Sequence, residues 1–75
     1  MAEIGLKSEV AGRVWLLARQ EGDEVAAQEA VVIVEAMKME IPVISERSGK
    51  VVKLLVSEGD EVAEDQTVAI IDVAP

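Results

Sequence analysis

Cysteine and histidine are absent from the 75 residues, phenylalanine and tyrosine are absent too, and one tryptophan is the whole aromatic content. Without cysteine there is no disulfide, and without cysteine or histidine the common zinc sites are out of reach. A chain this short buries only about 60% of its unfolded surface and usually needs such staples or very regular packing. Stability must therefore come from the apolar half of the composition. Positive charge is also scarce, seven Lys and Arg against fifteen Asp and Glu, for a net charge of -8. Nucleic acid is excluded as a partner, because phosphate binding needs a basic surface. The acidity is read as a device for solubility. No apolar run approaches the ~20 residues of a membrane span, and MAEIGLKSEV is not a secretory signal. A soluble, cytoplasmic protein without membrane association is expected.

What the sequence does have is valine and isoleucine, which favour pleated strands. It also has an internal repeat. At an offset of 37 residues, positions 12–36 (GRVWLLARQEGDEVAAQEAVVIVEA) align with 49–73 (GKVVKLLVSEGDEVAEDQTVAIIDV), with 11 identities in 25 positions. Two copies are too few for a solenoid, so one domain over 1–75 with an approximate two-fold axis is expected. Each copy reads as Gly, a β-branched run, an acidic Gly turn, a short Val segment and a second apolar run. Val14 and Leu17, like Val51 and Leu54, are three apart, which breaks the period of two; a β-bulge between them restores both to the interior. Eight short strands are predicted, near 3–8, 12–18, 24–26, 30–36, 39–45, 49–56, 61–63 and 67–73, closed or layered so that edges are protected.

Between the fourth and fifth strands nothing remains but Met37 and Lys38, so a tight hairpin is predicted there. Two-residue hairpin loops need positive φ and favour Asn-Gly or Gly-containing pairs. Met-Lys breaks that rule, and Met39 adds a second large apolar side chain. Local rules that fail together mark functional or strained sites. A lone turn lysine is otherwise a solvated tip, and nearby methionines fill gaps. Pattern alone leaves both readings open. Repeat arithmetic matches Lys38 with Pro75, which puts the lysine loop at one end of the domain and the termini at the other.

The segment Glu35-Ala36-Met37-Lys38-Met39, EAMKM, flanked on both sides by EGDEV, resembles the biotinyl domain of biotin-dependent carboxylases, within the biotinyl/lipoyl attachment family. The likeness spans essentially the whole chain. It implies a flattened barrel or sandwich of two four-stranded antiparallel sheets, with biotin carried covalently on Lys38 at a protruding hairpin. It further implies a carrier without catalytic activity of its own, and the chain offers no nucleophile–base pair or metal cluster. A biotin protein ligase makes biotinyl-adenylate, whose carbonyl the Lys38 amine attacks; a free lysine has a pKa of about 10.4, so the ligase must help remove its proton. Carboxybiotin then forms at a biotin carboxylase and delivers its carboxylate at a carboxyltransferase, to an acceptor such as an acyl-CoA. Met37 and Met39 are implied to be read by these enzymes, with Glu35 and Ala36 completing the motif.

Related domains often carry Gly at the position of Gln28, whose repeat partner is Asp65. Asp tolerates a left-handed turn better than Gln, so the first turn is expected to differ locally from the second. The copies align without a gap between their second and third strands, so the thumb insertion of some carriers is absent. Lipoyl carriers share the fold but usually have an acidic residue before the lysine and a small one after it, which Met37 and Met39 disfavour. An unmodified β-rich interaction module is the other alternative. Trp15 is read as half-buried packing in preference to a partner contact. The EGDEV turns lack calcium-loop spacing and are read as solvated. Pro42, without an amide donor, suits an edge strand. Arg47, Lys50 and Lys53 are read as charge balance. The isolated domain is expected to be monomeric.

Overall fold

The computed structural model describes residues 2–73. Their strands are β1 (Ala2–Lys7), β2 (Gly12–Leu17), β3 (Glu24–Val25), β4 (Ala30–Ala36), β5 (Met39–Ile44), β6 (Gly49–Leu54), β7 (Glu61–Val62) and β8 (Thr67–Val73). Every strand lies within two residues of its predicted span. They form two four-stranded sheets, ordered β1-β8-β6-β3 (sheet 1) and β5-β4-β2-β7 (sheet 2), with every pairing antiparallel. The body measures 36 × 18 × 18 Å. No helix among the described residues is long and apolar enough to cross a membrane.

The repeat is longer in space than in sequence. Adding 37 to the bounds of β1, β2, β3 and β4 reproduces those of β5, β6, β7 and β8. The structural copies are therefore 2–36 and 39–73, and Met37 and Lys38 are the only residues between them. The pair Ala36–Met39 that opens the lysine hairpin corresponds to the pair Val73–Ala2. The hairpin thus occupies, in one copy, the place where the two ends of the described chain lie side by side in the other. Pro75, the arithmetic partner of Lys38, lies outside the described residues.

Valine builds the core, in matched pairs: Val14 with Val51, Val25 with Val62, Val31 with Val68, Val34 with Ile71. The predicted bulges are present, between Val14 and Leu16 in β2 and between Val51 and Lys53 in β6. Each bulge turns Val and Leu inward together, but it also frees a backbone amide. The EGDEV turns supply the acceptors. Glu58 Oε2 accepts the Leu17 amide at 3.1 Å, and Glu21 Oε2 accepts the Leu54 amide at 2.9 Å. Gly59 and Gly22, both at φ 93°, donate to the carbonyls of Val14 and Val51 at 2.8 Å. Although exposed, each turn clasps a strand of the other copy.

The first turn does not differ from the second. Gln28 (φ 74°) and Asp65 (φ 68°) are both left-handed. Gln28 donates its amide to the Ser45 carbonyl at 2.6 Å, and Asp65 donates to Ser8 at 2.7 Å. Glu29 and Gln66 side chains close the two loops by accepting the Ala26 and Ala63 amides. Ser8 and Ser45 are fully buried, each hydroxyl donating to the carbonyl two residues on, of Val10 and Arg47. These bonds hold the backbone in place whichever side chain stands at 28.

Candidate functional site

The tip of the β4–β5 hairpin contains Met37 at φ 52° and Lys38 at φ 65°. Two consecutive positive φ values are the signature of a type I′ loop, whose twist matches the flanking strands. Neither side chain suits it: a left-handed conformation costs a non-glycine residue roughly 1–2 kcal/mol. The pairing of Ala36 with Met39 leaves no room for a longer, more relaxed loop.

The side chains at the tip point into solvent. Met37 is 95% exposed and Met39 63%, while Ala36, just before Met37 and paired with Met39, is buried. Lys38 is exposed, and its ammonium makes no ion pair with any described residue. The predicted residues thus separate into two kinds. Met37, Lys38 and Met39 are presented outward, whereas Ala36 supports the loop from below and Glu35 lies on the outer face of sheet 2.

Several neighbours of the hairpin escaped the sequence reading. Gly12 underlies β4, where a Cβ would come within 2.4 Å of the Glu35 carbonyl and 3.1 Å of the Ala36 Cβ. Only glycine lets β2 approach this closely; its recurrence as Gly49 was the available signal. Arg13 and Glu61 line a shallow depression beside the tip with Ala11, Gly12, Glu35, Ala36, Met37 and Val62. Register places Glu40, Glu35, Arg13 and Glu61 in one row across the sheet, with Arg13 3.9 Å from Glu61. Among the described residues no group of three His, Cys, Asp or Glu side chains is arranged to hold a metal.

Chemically, the site offers one exposed primary amine on a two-residue loop of fixed length. Such an amine, once deprotonated, attacks an activated acyl carbon. The exposed methionines flanking it provide soft, adaptable apolar contact.

Comparisons with known proteins agree with this geometry. Residues 1–71 match the family model described as biotin-requiring enzyme. The urea carboxylase of Kluyveromyces lactis is similar at 42% identity with a TM-score of 0.91, over 96% of this chain and 6% of that one. A single-chain, multi-domain long-chain acyl-CoA carboxylase is similar at 28% identity and a TM-score of 0.90, over 96% of this chain and 7% of that one. The chain therefore spans less than a tenth of either carboxylase. The lipoyl domain of the 2-oxoglutarate dehydrogenase complex from Azotobacter vinelandii, at 24% identity, shares the fold, with a TM-score of 0.70 over 84% of this chain and 80% of that one. A search of curated proteins gave no match. Built as two antiparallel sheets with a lysine hairpin joining its two structural copies, and matched by the family model over nearly its whole length, this chain belongs to the biotin/lipoyl attachment family of biotin-requiring enzymes.

Proposed function

We propose that residues 1–75 form a single carrier domain, a biotin carboxyl carrier with Lys38 as the attachment residue and no catalysis of its own. The observation that carries this reading is the strained Met37-Lys38 loop, which holds an amine and an apolar side chain in solvent where the fold alone would select Asn-Gly. Identities of 42% and 28% to carboxylases, against 24% to a lipoyl domain, favour biotin over lipoate.

Attachment balances as follows. The deprotonated Nζ of Lys38 attacks the carbonyl of biotinyl-adenylate, a C–N bond forms, the C–O bond to AMP breaks, and AMP leaves. One positive charge is lost, taking the formal total from -8 to about -9. Bound there, biotin supplies a ureido nitrogen that accepts and releases carboxylate. The chain's own contribution is positional. The rigid loop fixes the root of the arm, and Met37 and Met39 give the ligase, biotin carboxylase and carboxyltransferase a common apolar label. Tethering raises the effective concentration of the cofactor at each site. An acyl-CoA is the acceptor that the family resemblance implies; the higher identity to urea carboxylase favours urea as a second reading. The acidic surface supports a soluble, monomeric domain, and the cytoplasm is its proposed location.

Intact mass after co-expression with a biotin protein ligase tests the assignment. A biotin-sized increment is expected on the natural chain and not on Lys38→Arg. A lipoyl-sized increment would transfer the site to the other branch of the family, and a lysine that stays unmodified would remove the carrier role.

A further inference from the structure

Oxidisable side chains are scarce in this molecule, and those it has are gathered in one place. The chain contains no cysteine, histidine or tyrosine, one tryptophan and three methionines. Met1 lies outside the described residues. Every thioether among the described residues therefore stands on the β4–β5 hairpin, one on each side of Lys38. The fold does not ask for them there. Met37 falls between the two structural copies, and the counterpart of Met39 is Ala2. Methionines usually fill gaps in cores, where packing shields the sulfur. These two are 95% and 63% exposed, and neither belongs to the hydrophobic core.

Resting on the reading of Lys38 as the attachment residue, we propose that Met37 and Met39 are a reversible oxidation site for hydroperoxides: as thioethers they admit the enzymes that act on Lys38, and as sulfoxides they hinder them. The sulfur attacks one oxygen of hydrogen peroxide, an S–O bond forms and the O–O bond breaks. The proton on the transferred oxygen passes to the departing hydroxide, which leaves as water. Sulfur loses two electrons and the peroxide gains them. Methionine sulfoxide reductases run the return step, in which two thiols become a disulfide and the oxygen leaves as water. Exposure sets the order, so Met37 reacts before Met39. Position makes the change felt, because a partner that buries the tip must then desolvate a polar oxygen on each side of the amine. Burial makes it harmless to the fold, since a sulfoxide disrupts a core and neither side chain is part of one. This chain brings no cysteine to compete for the oxidant. Trp15, 48% exposed, is the internal comparison.

The test treats the folded natural chain with hydrogen peroxide, removes the oxidant and maps the products by peptide mass. One oxygen should appear on Met37 first and on Met39 next, with Trp15 unaltered and the urea midpoint unmoved. Biotin incorporation by a purified ligase is then timed. After complete loading, carboxylation by a purified biotin carboxylase with ATP and bicarbonate is timed as well. Oxidising before loading spares the thioether of biotin itself. For at least one of the two enzymes kcat/KM should fall about fivefold or more, and methionine sulfoxide reductases applied before loading should restore it. Met37→Leu with Met39→Leu keeps an apolar tip without sulfur; whatever its own rates, peroxide should not change them. Oxidation of Trp15 ahead of Met37 would overturn the site. Unchanged rates for both enzymes on the doubly oxidised chain, or equal losses in the leucine variant, would overturn its effect on the tip and leave the Lys38 reading intact. An untreated natural chain that takes no biotin would overturn the Lys38 reading instead, with the order of oxidation still standing.

Discussion

Replacing Met37-Lys38 by Asn-Gly should make the protein more stable while abolishing its modification. Both residues sit at positive φ, 52° and 65°. A left-handed conformation costs each roughly 1–2 kcal/mol. Asn retains part of that strain, and Gly adds about 0.5–1 kcal/mol of backbone entropy to the unfolded chain. The net gain is then about 1–2 kcal/mol. Losing the Met37 side chain offsets little of it, because that side chain is 95% exposed and packs on almost nothing. For a chain of 75 residues, each 1 kcal/mol moves Tm by about 4–8 °C, so an upward shift of about 4–16 °C is expected. Far-UV circular dichroism gives Tm, and urea titration followed by Trp15 emission gives the midpoint and slope. An unchanged slope would show that the native state gained stability without a change in the surface exposed on unfolding. Gln28→Gly is the companion experiment. It relieves the same strain at φ 74° away from the hairpin, so it should stabilise by about 0.5–1 kcal/mol with modification retained. An Asn-Gly chain that melts no higher than the natural one would refute the claim that this loop is held against its local preference.

Two further predictions use the repeat as a control. Glu29 accepts the Ala26 amide at 2.8 Å and pairs with Arg19 at 3.1 Å; these contacts, the amide first, hold its carboxyl below the ordinary value of 4.5. Its contribution is therefore complete above that value and is lost as pH falls through the lower folded pKa. Glu29→Gln, the residue found at 66, keeps the amide bond and removes the titration. Urea midpoints between neutral pH and pH 3 should fall more for the natural chain than for Glu29→Gln, and equal losses would refute the linkage. Gly12→Ala and Gly49→Ala each drive a Cβ to 2.4 Å from a carbonyl oxygen, of Glu35 and Asp72 respectively. Both should lose about 1–3 kcal/mol, but only Gly12→Ala should slow biotin incorporation, because only Glu35 leads into the hairpin. Equal rates of incorporation would show that β2 does not support the site.

The strands and both bulges were legible because each copy repeats the other's apolar spacing, so a pattern ambiguous in one was corroborated in the second. The hairpin was legible because only Met37 and Lys38 separate two strand-like runs, and the site was legible because that pair breaks turn chemistry. What escaped lay in contacts between distant residues. Glu21 and Glu58 reach amides 33 and 41 positions away, and no local spacing announces an acceptor for an amide freed by a bulge. The left-handed Gln28 was misjudged for a related reason: side-chain preference was weighed, but the bond from its amide to Ser45 was not visible. The extension of the repeat through β1 and β5 was hidden because Leu6 and Val43, or Gly5 and Pro42, fill equivalent places with different residues. Register needs matching shape and burial at such places, and identity is one way among several to supply it.

That distinction separates scaffold from function across the molecule. Gly12 and Gly49, Val14 and Val51, Gly22 and Gly59, Ser8 and Ser45 recur because steric closeness, burial, positive φ and a buried hydroxyl bond are demanded twice. Met39 faces Ala36 as Ala2 faces Val73, so the fold asks only for a small residue there, and 63% of Met39 stays in water. Leu16 stands where Lys53 suffices, and Trp15 where Val52 does. Each of these residues exposes apolar surface that burial would reward at about 25 cal/mol per Å², and each lies on the hairpin or on the sheet that carries it. The other half has a departure of its own, Leu55 at 46% exposed where the first copy has Ala18, so exposed apolar surface by itself does not mark the hairpin's half; the two methionines at its tip, 95% and 63% exposed, do. The carrier role proposed for Lys38 would account for those methionines, because a partner closing over the tip would bury that surface only when bound.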